Sequence, residues 1–202
     1  MRDKKLNSKQ TFNRQAATYD QDINGRHARA LYTVLLKKLS QLSYHSVLDL
    51  GCGTGEMLRL LSERDETVKL SGIDLSENML KIVDEKLHGR VELVLGDSEH
   101  LPFPDGSFDV VYCNDSFHHY PAPERVLAEV RRVLSENGTF IMCDSWHAGA
   151  GRMVINLYFK FSRSGDVKLY SEREITALFS KYFQNVRWEK IDGHSYMAWG
   201  EK

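Results

Sequence analysis

The segment VLDLGCGTG at 47–55 constrains the fold of this chain more than any other feature. A run of apolar, β-prone residues ends in three glycines at alternate positions, and a helical stretch follows. Glycine tolerates positive φ angles and lets a ligand approach the backbone closely. The first amides of a helix are free donors at the same place. The segment therefore predicts a strand, a tight turn and a helix that together hold a ligand.

Outside this segment, short β-prone runs alternate with helical stretches. This alternation predicts an α/β fold with a doubly wound, mostly parallel seven-stranded sheet that ends in a C-terminal antiparallel hairpin. We expect strands at 46–50, 68–74, 91–96, 108–114, 139–144, 184–191 and 195–201. We expect helices at 8–20, 26–42, 56–63, 77–87, 123–134 and 172–182.

The length of 202 residues fits a single domain, 1–202. Within it, we expect 1–25 to form an N-terminal helix or cap and 146–170 to form a lid. Both segments carry aromatic residues outside the regular sheet pattern, and an aromatic cover would exclude water from a small, partly apolar ligand. Ordinary core packing of these aromatic residues is the alternative.

Composition excludes several classes of protein. A net charge of -1 provides no overall field for nucleic acid or an anionic membrane. The three cysteines are widely spaced without a CxxC pair, which argues against a disulfide framework or a structural zinc site.

No apolar run reaches the roughly 18 residues of a membrane span, and no apolar segment follows the basic N-terminus. We expect a cytoplasmic protein, a monomer or a homodimer, with reduced thiols.

Acidic side chains indicate the chemistry of the ligand. Asp49 lies inside the first strand, just before the glycines, where it disfavours an anion and favours a cationic amino group. The spacing G-x-G-x-G also differs from the G-x-G-x-x-G of dinucleotide sites. Asp74 ends the second strand, where an acid accepts hydrogen bonds from ribose hydroxyls. Asp97 and Ser98 end the third strand, within reach of an adenine amino group, and Met79 is placed either against the adenine or in the core.

The chain resembles the class I S-adenosylmethionine (SAM)-dependent methyltransferases, in particular the small-molecule branch that includes quinone-pathway C-methyltransferases. The stretches that carry the resemblance are FNRQAATYD (12–20), VLDLGCGTGEML (47–58), GIDLSENML (72–80), LGDSEHLPFPDGSFDVVYCNDSFHHY (95–120) and VLAEVRRVLSENGTFIM (126–142). The resemblance implies SAM as the cofactor and a small-molecule methyl acceptor as the partner. It implies that the cofactor is bound by Tyr19, Asp49, Gly51, Cys52, Gly53, Gly55, Asp74, Leu75, Met79, Asp97, Ser98 and Asn114.

The loop after the fourth strand, NDSFHHY at 114–120, is expected to face the methyl group. Histidine titrates near neutral pH, so we take His119 as the candidate general base for an acceptor with a protonated oxygen or nitrogen. A packing role for the histidine pair is the alternative. No metal site is expected, because no third ligand stands near the pair in sequence and methyl transfer needs no metal.

The function expected from these features is methyl transfer by in-line displacement, with the protein aligning donor and nucleophile. Methylation of an RNA or protein acceptor, a non-catalytic SAM-binding module and a nicotinamide-dependent oxidoreductase remain as alternatives. The glycine spacing and Asp49 speak against the oxidoreductase.

Overall fold

A computed structural model describes residues 4–202 and contains a seven-stranded sheet. The strands are β1 Ser46–Leu50, β2 Lys69–Asp74, β3 Glu92–Leu95, β4 Phe108–Asn114, β5 Leu134–Ser145, β6 Gln184–Lys190 and β7 Ser195–Glu201. Their order in the sheet is β3-β2-β1-β4-β5-β7-β6. The first five strands pair in parallel, while β7 pairs antiparallel with both β5 and β6. The predicted fold class is confirmed.

Seven α-helices and one 3₁₀ turn connect these strands within the described residues. The helices are α1 Lys4–Gln15, α2 Arg26–Leu39, α3 Glu56–Ser62, α4 Glu77–Leu87, α5 Pro123–Val133, α6 Gly149–Phe159 and α7 Glu172–Phe179, and the 3₁₀ turn is Phe117–His119. Local sequence accounts for several of their starts: the Ser76 side chain accepts from the Met79 amide at the start of α4, and Ser171 and Glu174 form a capping box at α7.

Strand β1 is the point at which the strand order reverses, because it pairs with β2 on one side and β4 on the other. Its side chains alternate between two buried apolar clusters: Leu48 and Leu50 pack into one, and Val47 packs into the other. Helices cover both faces, so the carboxyl edge of the sheet is left for a ligand. Ligands of open α/β sheets bind at this edge, where the strand order reverses.

Several sequence-based boundaries were wrong, and one helix was missed. The first helix spans Lys4–Gln15 instead of 8–20, and turns follow it up to 24. The fifth strand begins at Leu134, directly after α5, although a turn at Asn137-Gly138 had been expected to precede it. Helix α6 was missed for two reasons. Gly149 and Gly151 weaken helix propensity. None of its residues is buried, so its sequence shows no clear core-facing pattern.

The residues 1–3 of the expected N-terminal cap lie outside the described residues. Between 4 and 202, no helix has the length and apolar character needed to cross a bilayer. Cys52, Cys113 and Cys143 are all buried and unpaired by disulfides.

Candidate active site

The glycine turn between β1 and α3 requires glycine for two reasons. Gly51, Gly53 and Gly55 all have positive φ, at 78°, 52° and 72°, a region that is costly for other residues. At Gly51 there is also no room, because an added Cβ would lie 2.5 Å from the Ser116 Oγ. At Gly53, by contrast, nothing lies within 4 Å of an added Cβ. The turn therefore leaves an open space beside its backbone.

Asp74, the last residue of β2, connects the glycine turn to the start of α4. Its Oδ2 accepts a hydrogen bond from the Gly53 amide at 2.9 Å, and its Oδ1 accepts from the Ser76 amide at 2.8 Å. Burial raises the pKa of Asp74 above its ordinary value, and these amide bonds act in the opposite direction. The carboxyl group is held in a fixed orientation and lines a cavity. Each carboxylate oxygen has a further lone pair for a ligand hydroxyl.

Two adjoining cavities follow the carboxyl edge of the sheet, and Gly51 lines both. The first has a volume of about 440 Å³, which includes space open to solvent, and lies between the ends of β2 and β3 and helix α1. The second has a volume of about 330 Å³, measured in the same way, and lies beside the end of β1 and helix α2. We call the two together the cofactor cleft. Its elongated form suits a ligand with two chemically different ends.

Most of the predicted cofactor-binding residues line this cleft. The first cavity is lined by Gly51, Asp74, Leu75 and Ser98, together with the candidate base His119. The second is lined by Tyr19, Asp49, Gly51, Cys52, Gly53 and Asn114.

Three of the predicted residues do not line either cavity. Gly55 packs against α4, where an added Cβ would lie 2.5 Å from the Val83 side chain. Met79 is buried in the protein interior. Asp97 forms an ion pair with Lys5 of α1, with 2.6 Å between Nζ and Oδ2. Asp97 and Lys5 thus hold α1 against the end of β3.

Asp49 is buried and lies in the second cavity. Its Oδ2 accepts a hydrogen bond from the Tyr112 hydroxyl at 2.8 Å. Burial raises the pKa of Asp49 to about 8, although the Tyr112 bond favours the ionised form. A buried carboxyl group of this kind gains from a cationic partner, which would restore its charge. The adjacent Asn114 Oδ1 is buried without a hydrogen-bond partner among residues 4–202, so it offers an acceptor for an amino group.

Helix α1 contributes two residues that the sequence analysis did not single out. Ser8 and Lys9 line the first cavity beside Phe12, an aromatic residue of the expected cover. Asn13 fixes the helix on the start of α4, since its Oδ1 accepts from the Ser76 hydroxyl at 2.6 Å. The only signal in the sequence was the aromatic Phe12 within a segment expected to act as a cap.

The loop after β4 adds two more residues that were missed. Ser116 and Tyr120 line the first cavity, and their hydroxyls are 2.8 Å apart. Ser116 donates to the Leu50 carbonyl at 3.1 Å, which ties the loop to the end of β1. Both residues stand in the stretch NDSFHHY, so their position in the sequence was a usable signal.

The two histidines of this loop have opposite environments. Burial alone would lower the pKa of His118, but the charge of Asp144 and its hydrogen bond outweigh this and raise the pKa to about 10. His118 Nδ1 lies 2.5 Å from Asp144 Oδ1. Burial, and next the charge on His118, lower the pKa of His119 to about 4. His119 therefore presents a neutral imidazole to the cleft, with the Phe12 ring at 5.1 Å from its own.

The comparison with known families agrees with this geometry. Residues 48–142 match the family described as "Methyltransferase domain". The matched stretch begins in β1 and ends in β5, so it contains the glycine turn, Asp74 and the loop with His119. These residues are therefore similar to the methyltransferase domain of class I SAM-dependent enzymes.

Among its relatives are demethylmenaquinone methyltransferases. The protein from Thermotoga maritima is 32% identical over 124 residues, which cover 61% of this chain and 54% of that protein. The protein from Lactococcus lactis is 36% identical over 132 residues, which cover 62% and 52%. The chain thus spans about half the length of these curated relatives. A solved structure, the PH0226 protein from Pyrococcus horikoshii, is similar with a TM-score of 0.72 and 26% identity over 94% of this chain and 97% of that one.

Proposed function

We propose that this protein transfers a methyl group from SAM to a small-molecule acceptor. The observation that carries the proposal is the cofactor cleft itself, in which Asp74 and Ser98 lie at one end and Asp49 at the other, with Gly51 between them. The names of the demethylmenaquinone methyltransferases favour an acceptor of the quinone type.

The residues of the cleft fit the parts of SAM. Asp74 would accept from the ribose hydroxyls, and Leu75 and Ser98 would lie against the adenine. At the other end, the buried Asp49 carboxyl group and the unpartnered Asn114 Oδ1 would receive the ammonium group. The open space beside Gly53 leaves room for the methionine carboxylate near the turn amides.

The chemical demands on the protein are modest, because the sulfonium of the cofactor is a good leaving group. When bound, SAM would supply an electrophilic methyl group, and its carbon–sulfur bond would break as the acceptor atom attacked the methyl carbon, leaving the electron pair on sulfur. The rigid strand ends and the glycine turn hold the donor side in place, and the loop with Ser116, His119 and Tyr120 bounds the same cavity. Alignment of two reactants in this way contributes up to about 7–11 kcal/mol in well-oriented cases.

His119 has a limited role in this proposal. A base is most effective when its pKa lies near the working pH, whereas burial and His118 lower the pKa of His119 to about 4. Its neutral ring accepts a hydrogen bond from a protonated oxygen or nitrogen of the acceptor and thereby orients it. For an acceptor methylated on carbon, His119 only forms part of the cavity wall.

The segments 1–25 and 146–170 are proposed to cover the cleft. Gly165 packs against Ser8 of α1, where an added Cβ would lie 2.5 Å from the Ser8 Cα. The Val167 amide donates to the His118 carbonyl at 2.8 Å. The two segments therefore meet each other and the loop that carries His119. These contacts support a cover over the side of the cleft that His119 lines, which we call the acceptor end.

A turnover assay tests the proposed function. The protein is incubated with methyl-labelled SAM and a short-chain demethylnaphthoquinol, alongside a panel of other small hydroxyl, amine and thiol compounds. We expect label in a small-molecule product, and much less of it with Asp74→Ala at the same subsaturating SAM concentration. Label found only in added RNA or protein, or SAM binding without any turnover across the panel, would contradict the proposal.

A further inference from the structure

A cluster of potential metal ligands lies at the acceptor end of the cofactor cleft. The fold brings Asp166, from the segment after α6, next to the histidine pair of the 3₁₀ turn. Asp166 Oδ1 is 3.5 Å from His118 Nε2 and 3.6 Å from His119 Nδ1. All three donor atoms lie within 4.8 Å of one another. Asp166 is distant from the pair in sequence, so this third group could not be found from residue spacing.

The distances match coordination better than hydrogen bonding. Zinc–nitrogen and zinc–oxygen bonds of about 2.0–2.1 Å in tetrahedral geometry place neighbouring donor atoms about 3.3–3.4 Å apart. The two separations from Asp166 Oδ1 are 3.5 and 3.6 Å, beyond the roughly 3.2 Å limit of an ordinary N–H···O bond. The third separation, between the two histidine nitrogens, is within 4.8 Å.

The groups around the cluster orient its donor atoms. Asp144 Oδ1 lies 2.5 Å from His118 Nδ1, and Asp144 Oδ2 accepts the His118 backbone amide at 2.9 Å. This arrangement directs Nε2 of the same ring toward Asp166. On the other side, Oδ2 of Asp166 accepts from the Ser164 hydroxyl, which leaves Oδ1 for the histidines. Carboxylates that hold the second nitrogen of a histidine are typical of metal sites.

His119 supplies an independent observation. Its Nδ1 is buried and has no hydrogen-bond partner in the part of the chain that the structure describes. A buried polar atom without a partner costs about 1–3 kcal/mol, and such atoms are uncommon in native proteins. A metal ion would satisfy this nitrogen, while the position of the ring against the first cavity is unchanged.

We propose that His118, His119 and Asp166 bind one divalent transition-metal ion of the zinc type, with a fourth position available to water or to an oxygen of the acceptor. Binding releases the proton of His118 Nε2 to solvent, while Nδ1 keeps its proton toward Asp144. Three protein ligands with one open position are characteristic of zinc sites that contact substrates. The ion would join the segment around Asp166 to the loop after β4 and so hold the cover closed. An ion-pair network among the same side chains, with no metal, is the competing explanation.

Metal titration of the full-length protein separates these two explanations, and it requires neither SAM nor turnover. The protein is stripped with a chelator, dialysed and titrated with Zn²⁺, and separately with Co²⁺ followed by visible absorption. We expect one ion per chain and the intense Co²⁺ bands of a tetrahedral site. Asp166→Asn should weaken Zn²⁺ binding more than about 100-fold, beyond the 10–100-fold typical of partners outside the coordination sphere.

The chain offers a matched control in a second histidine pair, His147 and His194, whose rings are 5.1 Å apart. The double variant His147→Gln/His194→Gln should retain the single tight ion. Circular dichroism checks the fold of each variant, and His119→Gln replaces Asp166→Asn if the latter is unfolded. Absence of binding to the wild-type protein, equal affinity in the ligand variants, or loss of the ion in the double variant would overturn the proposal.

Discussion

Two sides of the cleft differ in how their residues are brought together. The strand ends form one side, called here the cofactor end, and the residues around His119 form the other, the acceptor end. At the cofactor end, Asp49, Gly51 and Asp74 sit at or directly after the ends of adjacent parallel strands. At the acceptor end, His119 meets Phe12 from α1, and it meets Asp166 from the segment after α6. Strand ends meet at one edge in every sheet of this type, whereas contacts between a terminal helix and a late loop depend on the whole tertiary structure. A motif can therefore specify the cofactor end but not the acceptor end.

Gly51→Ala is expected to have the largest effect, because it combines a positive φ of 78° with a Cβ only 2.5 Å from the Ser116 Oγ. Chemical denaturation should show a loss of stability about 1–3 kcal/mol larger than that of Gly106→Ala. Gly106 has a similar φ of 68°, but the nearest atom to an added Cβ is 4.0 Å away. Equal losses in the two variants would mean that the glycine turn is not tightly packed on the loop.

Asp74→Ala should weaken SAM binding by about 1.5–3 kcal/mol, the range for hydrogen bonds to a charged group. Asp74→Asn retains acceptor atoms and should show a smaller loss. Asp84, exposed on α4, gives the matched control, since Asp84→Ala changes a carboxylate outside both cavities. Calorimetric titration measures all three. If Asp74→Ala and Asp84→Ala bind SAM alike, Asp74 has only a structural role at the start of α4.

His119→Gln tests the acceptor end. With a hydroxyl or amine acceptor, turnover should fall about 10-fold, below the 10²–10⁴-fold typical of efficient general bases. The reason is the pKa of about 4, which keeps the ring neutral but weakly basic. SAM affinity, measured in chelator-containing buffer, should stay near that of the wild-type protein. A loss of SAM affinity as large as that of Asp74→Ala would place His119 at the cofactor end.

Asp49→Asn should change the pH dependence of stability at the cofactor end. The pKa of Asp49 is about 8 in the folded protein, above the roughly 3.9 of an unfolded chain. The folded protein then retains a proton that the unfolded chain releases, so the contribution of Asp49 to the free energy of unfolding falls as pH rises from about 4 to about 8. Asparagine does not titrate, so the free energy of unfolding of Asp49→Asn does not fall for this reason over the same pH range.

Thermal unfolding without SAM measures this effect. The Tm of Asp49→Asn relative to the wild-type protein should rise between pH 5 and pH 8. The same difference at both pH values would show that Asp49 is already ionised in the folded protein, and that the cofactor end needs no cationic ligand to restore its charge.

The sequence brought the candidate cofactor residues to one place because their signals are local. Gly51, Asp74 and Ser98 lie at or just after the ends of recognisable strands, and all three line the cleft. The expected roles of Met79 and Asp97 are less well supported, since a side chain next to a strand end can turn into the core or toward a neighbouring helix. Met79 is buried in the interior, and Asp97 pairs with Lys5.

The acceptor end could be predicted only in part. His119, Ser116 and Tyr120 belong to one short stretch, so the loop itself was identified. Asp166 could not be identified from the sequence, because its position next to the histidines depends on α6. That helix begins with glycines and carries its apolar residues on an exposed face. Met153, Val154, Leu157 and Tyr158 of α6 are between 56% and 70% exposed, so no buried stripe revealed the helix.

The central claim is that this cleft binds SAM, and calorimetric titration of the purified wild-type protein with SAM and with NAD⁺ tests it most directly. The account predicts saturable binding of SAM at one site per chain and no binding of NAD⁺, because the turn has the G-x-G-x-G spacing and Asp49 disfavours a pyrophosphate. A folded sample that gives no heat with SAM, or that binds NAD⁺ in its place, would contradict it.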